Sequence, residues 1–236
     1  MRCLILFGIV LCSFSPGSYA QLDSISQTIR RGLNNPNYFA EDTYLSRGAA
    51  PKEVEGSLFL DERWQDAYIL TPEDEVVNVK ARYRIYDDEV QVLSPDKEVL
   101  GLYPAKIRAI AIGKQVFVPL EFRSPEGERK VGFFQLLVEG ETALLLRRSL
   151  ELKKSDYNPA LNIGDRNDRL ELQEAYYYRR VGEQPRLLRL SKSSILKALS
   201  RRKKAVAEYA KNNQLNPHKE ESLVAIFQFY NRQDKE

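Results

Sequence analysis

The chain has very few residues of the kinds that most often carry reactive chemistry. It holds two cysteines, one methionine, one tryptophan and one histidine in 236 residues. Cys3, Cys12 and Met1 all fall within the first twelve positions. Arg2, the apolar run Leu4 to Leu11 and the small-x-small step Ser18-Tyr19-Ala20 together predict an export signal cleaved after Ala20. Cleavage there leaves a chain starting at Gln21 with no thiol, no thioether and one imidazole, His218. Disulfide staples are then excluded, and stability must come from an ordinary core. A lipoprotein acylated on Cys12 is the rival form. Bulky Leu11 stands where lipid attachment wants a small residue, which argues against it. The leader run is too short to span a bilayer, which needs roughly 20 apolar residues. No later run is long enough either, so no transmembrane segment is expected after cleavage.

Strong charge of one sign is also missing. The formal net charge is +3, and loss of Arg2 with the leader makes it +2. Such a balance gives no reason to expect nucleic acid as a partner. There is no Asn-x-Ser/Thr sequon, so nothing suggests a glycosylated secretory protein. What is present is the composition of a folded domain, 43% hydrophobic and 29% charged.

Four stretches follow one another. Residues 1–20 are the signal and residues 21–55 an N-terminal arm. The arm carries Asn34-Asn35-Pro36-Asn37 and Gly48-Ala49-Ala50-Pro51 as loop signals. Ile25, Ile29 and Leu33 allow one short helix over Leu22–Leu33. Such an arm either lies loosely on the surface or docks to complete the fold.

Residues 56–190 read as strands. Val77, Val79, Ala81, Tyr83 and Ile85 alternate with Asn78, Lys80, Arg82 and Arg84, predicting a half-buried strand with a basic outer face. Asp87-Asp88 turns the chain, and Glu89–Leu93 pairs back. Ile107–Ile112, Gln115–Phe122, Lys130–Val138 and Thr142–Leu152 continue the series across short turns. Turns this short require antiparallel neighbours. Lys153–Gln173 reads as a polar interruption, after which Ala175–Val181 and Arg186–Leu190 resume strand character. Residues 191–236 are helical. Ser191 or Ser193 caps a helix through Ile195, Leu199, Val206 and Tyr209. Asn212-Asn213 ends it, and Glu220 to Asn231 forms a second helix with Leu223, Ile226, Phe227 and Tyr230 on one face. The expected fold is α+β: an antiparallel β-meander, open barrel or sandwich, with a C-terminal α-helical hairpin.

Candidate sites weaken when each is set beside its plainer reading. His218 has no Cys or second His near it, so a metal site is not expected; it reads as an exposed helix-start residue. Ser194 and Lys197 match Ser-x-x-Lys, but the companion Lys-Thr-Gly and Ser-Asp-Asn elements are absent, so capping and a solvated lysine explain them. Asp61-Glu62, Glu73-Asp74-Glu75 and Asp87-Asp88-Glu89 are acidic clusters of the kind a glycosidase uses, here placed where strands turn and read as solvated. Asp165-Arg166-Asn167-Asp168 lacks the alternation and closing Glu of a calcium loop. Arg201-Arg202-Lys203-Lys204 is the concentrated positive run. It either is a solvated helix face or binds an anionic partner such as a lipid headgroup, a polysaccharide or an acidic protein. The aromatics, including Tyr176-Tyr177-Tyr178, either fill a core or line a cavity.

Gly56-Ser57-Leu58-Phe59-Leu60, Tyr83-Arg84-Ile85-Tyr86-Asp87 and the tail from Ser191-Lys192-Ser193-Ser194-Ile195-Leu196 through Phe229-Tyr230-Asn231 resemble exported Bacteroidota proteins of unknown function. The resemblance covers most of residues 56–231. It implies an envelope or secreted location and carries over no catalytic residue. With no nucleophile, base and orienter brought together by any motif, the expectation is a non-enzymatic exported protein. No catalytic residue, metal or cofactor is assigned, and the partner is an unidentified protein or envelope component. A carrier with an apolar ligand inside an open barrel and, further back, a carboxylate-based glycan enzyme are the alternatives.

Overall fold

The computed structural model describes residues 44–45, 54–102, 104, 107–124 and 127–232. The expected signal and the Leu22–Leu33 helix lie outside them. Among the described residues eleven strands form one sheet. The first six are β1 (Tyr44–Leu45), β2 (Gln65–Leu70), β3 (Val76–Arg84), β4 (Glu89–Leu93), β5 (Val99–Leu102) and β6 (Ala109–Ile112). The rest are β7 (Gln115–Arg123), β8 (Arg129–Val138), β9 (Thr142–Lys153), β10 (Arg169–Arg180) and β11 (Arg186–Leu187). Three helices follow: α1 (Lys192–Ala198), α2 (Lys203–Asn212) and α3 (Glu220–Arg232). The fold is α+β, an antiparallel sheet curled into a half-barrel with C-terminal helices. No described helix is long and apolar enough to cross a membrane.

The strand order is β1-β5-β4-β3-β2-β6-β7-β8-β9-β10-β11, with each neighbouring pair antiparallel. The expected antiparallel meander is present as two runs that grow in opposite directions from β2. After β5 the chain returns and adds β6 to the free side of β2. The arm does contribute, because Tyr44–Leu45 pairs with Leu102 and Gly101 at the outer edge.

Period-two alternation places Val77, Val79, Ala81 and Tyr83 on the concave face. There they meet Ile69, Val90, Val92, Ile110, Phe117 and Phe133 in the largest core cluster. The Tyr83 ring lies 5.2 Å from Phe117 and 6.0 Å from Phe133. Between β3 and β7 stand β2 and β6, so contact at that range requires a strongly curled sheet. These rings pack against one another inside the half-barrel.

The curl is fastened where β8 and β9 separate. Their ladder covers only Gln135 to Val138, while β7 pairs with β8 along Arg129–Gln135. The β3–β4 turn reaches this seam. Asp88, at φ 57°, accepts a hydrogen bond from the Tyr83 hydroxyl at 2.5 Å and from the Phe133 N–H at 3.1 Å. Its other oxygen takes the Arg147 guanidinium at 2.7 Å. A Cβ at Gly132 would overlap both Asp88 and Arg147, which is why glycine stands there. A second fastener is the segment before β2. Glu55 bridges Arg169 on β10, and Phe59 bridges Arg84 on β3.

Two expectations about charge are corrected here. Asp87-Asp88-Glu89 is only in part a solvated turn: Asp87 keeps contact with solvent, but Asp88 points inward and Glu89 is a buried residue of β4. Burial, opposed by Arg84, raises the Asp87 carboxyl above the usual carboxylate range. Nor is the outer face of β3 uniformly open and basic. Arg84 is buried and paired with Asp87 at 2.8 Å. Arg82 lies over both the Phe59 and Trp64 rings, at 4.0 and 4.4 Å, and bonds Gln91. Crossing rings and cross-strand partners shield these guanidinium groups, and the alternation alone does not reveal such covers.

The long helix expected from Ile195 to Tyr209 is broken. Ser191 caps α1 through the Ser194 N–H, and α1 ends at Leu199 (φ −99°, ψ 41°). A short 3-10 turn, Ser200–Arg202, leads into α2. Arg180 on β10 donates to the freed Ala198 carbonyl at 2.9 Å, satisfying a helix-end acceptor that would otherwise be orphaned. The break lets Leu199 and Val206 both enter one core with Leu223, Ile226, Phe227 and Tyr230 of α3. Val138, Leu144, Tyr176 and Tyr178 supply the sheet side of that core. Asn231 ties α3 to the β8–β9 turn through the Thr142 N–H and carbonyl, each at 3.1 Å.

Candidate functional site

The helical region forms an apolar groove of about 170 Å³. Ile195 and Leu196 of α1, Val206, Ala207 and Ala210 of α2 and Ile226 of α3 give its walls. Leu215 and Pro217, in the connection to α3, close one side. The groove exists because α1 and α2 meet at the 3-10 break instead of running on, and the small Ala207 and Ala210 leave room between them. Two lysines, Lys192 and Lys211, complete the lining, and no carboxylate belongs to it. Aliphatic walls with cations at the rim can take an apolar body carrying a negative end.

The basic run divides between structure and surface. Arg201 pairs with Glu141 in the β8–β9 turn. Arg202 is half-buried and reaches toward the Tyr230 carbonyl at 3.4 Å. Lys203 and Lys204 are exposed. Lys204 and Lys211 are seven residues apart on α2 and so share one face, with Ala207 between them. Lys204 thus shares the Lys211 face of α2 without belonging to the groove lining, while Arg201 and Arg202 are engaged elsewhere.

The remaining candidates are not brought into a reacting arrangement. His218 is exposed, and its backbone N–H donates to Asn216. Ser194 serves as a backbone donor to the Ser191 cap, and Lys197 is exposed. Within Asp165–Asp168, Asp165 pairs with Arg169 at 3.0 Å and Asp168 accepts the Ser155 N–H at 2.7 Å. Among the described residues no cluster of His, Cys, Asp or Glu could hold a metal ion. The tyrosine triplet divides as alternation requires: Tyr176 and Tyr178 join the helix-packed core, while Tyr177 packs on Phe134 on the other face.

One polar cluster was not anticipated. Arg148 on β9 donates to Glu174 at 2.8 Å and also bonds Gln135. Next to Glu174, the Tyr176 hydroxyl donates to Glu220 at 3.2 Å. Two carboxylates thus flank one phenol. Burial first, then the Glu220 charge, pushes that phenol up to about 12. A phenol so raised keeps its proton and acts as a donor, not as a base or nucleophile. The cluster pins the start of α3 to the sheet. No local signal finds it, because Glu220 and Tyr176 are 44 residues apart.

Comparison of the chain with protein-family models, with curated proteins and with solved structures gives no match.

Proposed function

We propose that this chain is an exported, non-catalytic binding protein that holds an anionic single-chain amphiphile in the groove among its helices. The observation that carries the reading is the lining itself, aliphatic throughout except for Lys192 and Lys211. The leader-like first 20 residues support export, and the likeness to exported Bacteroidota proteins supports an envelope setting. The groove is smaller than the about 300–1,000 Å³ typical of pockets for drug-sized ligands. It therefore suits a short alkyl chain, or the end of a longer one, with the head outside at the lysines. This reading moves the ligand from the barrel interior, which Tyr83, Phe117 and Phe133 occupy, to the helices.

Titration calorimetry with decanoate, decanol and decyltrimethylammonium tests it. Decanoate binds tightest, and the joint change Lys192→Gln, Lys211→Gln weakens it by about 3- to 10-fold, as expected for two solvent-accessible charge contacts. Ala207→Trp, which fills the groove, removes binding of all three. Equal binding of decanol and decanoate, or no effect of the tryptophan, refutes the proposal.

A further inference from the structure

The β9–β10 hairpin ends in a loop that exposes aliphatic side chains at its apex. Leu161 is 64% exposed and Ile163 59%. Behind them Leu152 and Leu172 stand on one face of the hairpin, 46% and 49% exposed. The loop is internally built. Asn158 and Ile163 form an antiparallel bridge, and the Asn158 side chain accepts the Ala160 N–H at 3.0 Å. The Tyr157 hydroxyl donates to Asn162 at 2.8 Å, and Arg166 lies 4.8 Å over the Tyr157 ring.

The charges of the loop are arranged unequally. Asp156 and Asp168 accept the backbone N–H groups of Asp165 and Ser155, each at 2.7 Å. Asp165 is held by Arg169 and Lys153. Asp165 is thus paired by cations at the strand ends, while Asp156 and Asp168 are turned onto backbone N–H groups of the loop. Lys154 is exposed and has no ion pair among the described residues.

We infer that this apex docks on an anionic lipid bilayer surface. A convex apolar tip with cations beside it matches a fluid headgroup layer, into which Leu161 and Ile163 can insert while Lys154 and Arg166 stay at phosphate level. A flat or concave protein surface would have to be shaped to receive it. The loop is ordered beforehand, so docking costs little conformational entropy. Strands of twelve residues, about 40 Å long at the usual rise, separate this apex from the turns at the helical end. Docking is therefore independent of whether the groove binds an amphiphile.

The test is flotation of the purified protein with vesicles of phosphatidylcholine alone and of phosphatidylcholine mixed equally with phosphatidylglycerol. The protein floats with the anionic vesicles and much less with the neutral ones. The double change Leu161→Asp, Ile163→Asp lowers the bound fraction by about tenfold, and Lys154→Glu lowers it less. Val181→Asp, at the most exposed large apolar side chain and away from the loop, leaves binding unchanged. These positions are exposed, so circular dichroism should show each variant folded. Failure of the parent to float, equal flotation with both vesicles, or equal flotation of parent and double variant overturns the inference.

Discussion

Replacing Asp88 by alanine should open the half-barrel at the seam between β8 and β9. The change leaves three donors without their acceptor: the Tyr83 hydroxyl, the Phe133 N–H and the Arg147 guanidinium. Tyr83 is 3% exposed, so water does not replace the lost bond there. A buried donor left unsatisfied costs about 1–3 kcal/mol. The Arg147 side chain is 17% exposed, so solvent screens part of its loss. Together these give about 3–5 kcal/mol, against a usual domain stability of about 5–15 kcal/mol. Alanine at positive φ adds backbone strain of its own. Asp88→Asn separates the two, since asparagine tolerates that conformation, keeps one acceptor oxygen for the Tyr83 and Phe133 donors, and loses the charge and the oxygen that faces Arg147; its cost is about 1–2 kcal/mol. Equilibrium urea unfolding measures each variant, and a double-mutant cycle of Asp88→Asn with Arg147→Gln should show coupling of about 1–2 kcal/mol. Gly132→Ala should mimic the effect sterically, because its methyl displaces the same pair. If Asp88→Ala stays within about 0.5 kcal/mol of the parent, the carboxylate is not a fastener and the argument for the seam fails.

Alkaline pH should destabilise the protein. Burial, and after it the Asp88 carboxylate, raises the Tyr83 phenol well above its ordinary value, while Tyr176 is pushed up to about 12. The folded state keeps these protons where unfolded tyrosines, near pH 10, have lost them. Stability is thus full below about pH 10 and falls as pH rises toward 12. Urea midpoints at about pH 9 and about pH 11 check the sign, and a higher midpoint at the upper pH contradicts it. Asn231→Ala should cost about 1–2 kcal/mol through loss of the bonds to Thr142. That corresponds to a melting temperature lower by about 3–6 °C, and an unchanged melting curve counts against α3 being tied to the sheet there.

Legibility followed locality. The alternation from Val77 to Ile85 identified β3 and its buried face, because one sheet face turned from water leaves a period of two in the sequence. Leu223, Ile226, Phe227 and Tyr230 identified the inner face of α3 in the same way, with all four buried. Val99–Leu102 passed unnoticed because four residues with a central glycine carry little period. The start of β10 falls in the polar interruption Lys153–Gln173, because Arg169, Glu171 and Gln173 dominate the composition there while Leu170 and Leu172 keep the alternation. The groove was not legible at all. Ala207 and Ala210 look like ordinary helix formers until the break at Leu199 turns α1 away from α2.

By itself the sequence determined the strongly periodic elements such as β3 and α3, the antiparallel pairing implied by short turns, and the near absence of sulfur and imidazole chemistry. Those properties depend on neighbours within a few residues. Tertiary structure alone decided that β6 joins β2, that Asp88 meets Arg147 59 residues away, and that Glu220 meets Tyr176. It also decided which cations stay free, since pairing takes Arg84, Arg147 and Arg201 while Lys154 and Lys204 face water. A carboxylate at a turn and one at a buried seam look alike in sequence. The cost of leaving a charge in a low dielectric appears only once the chain has curled around it.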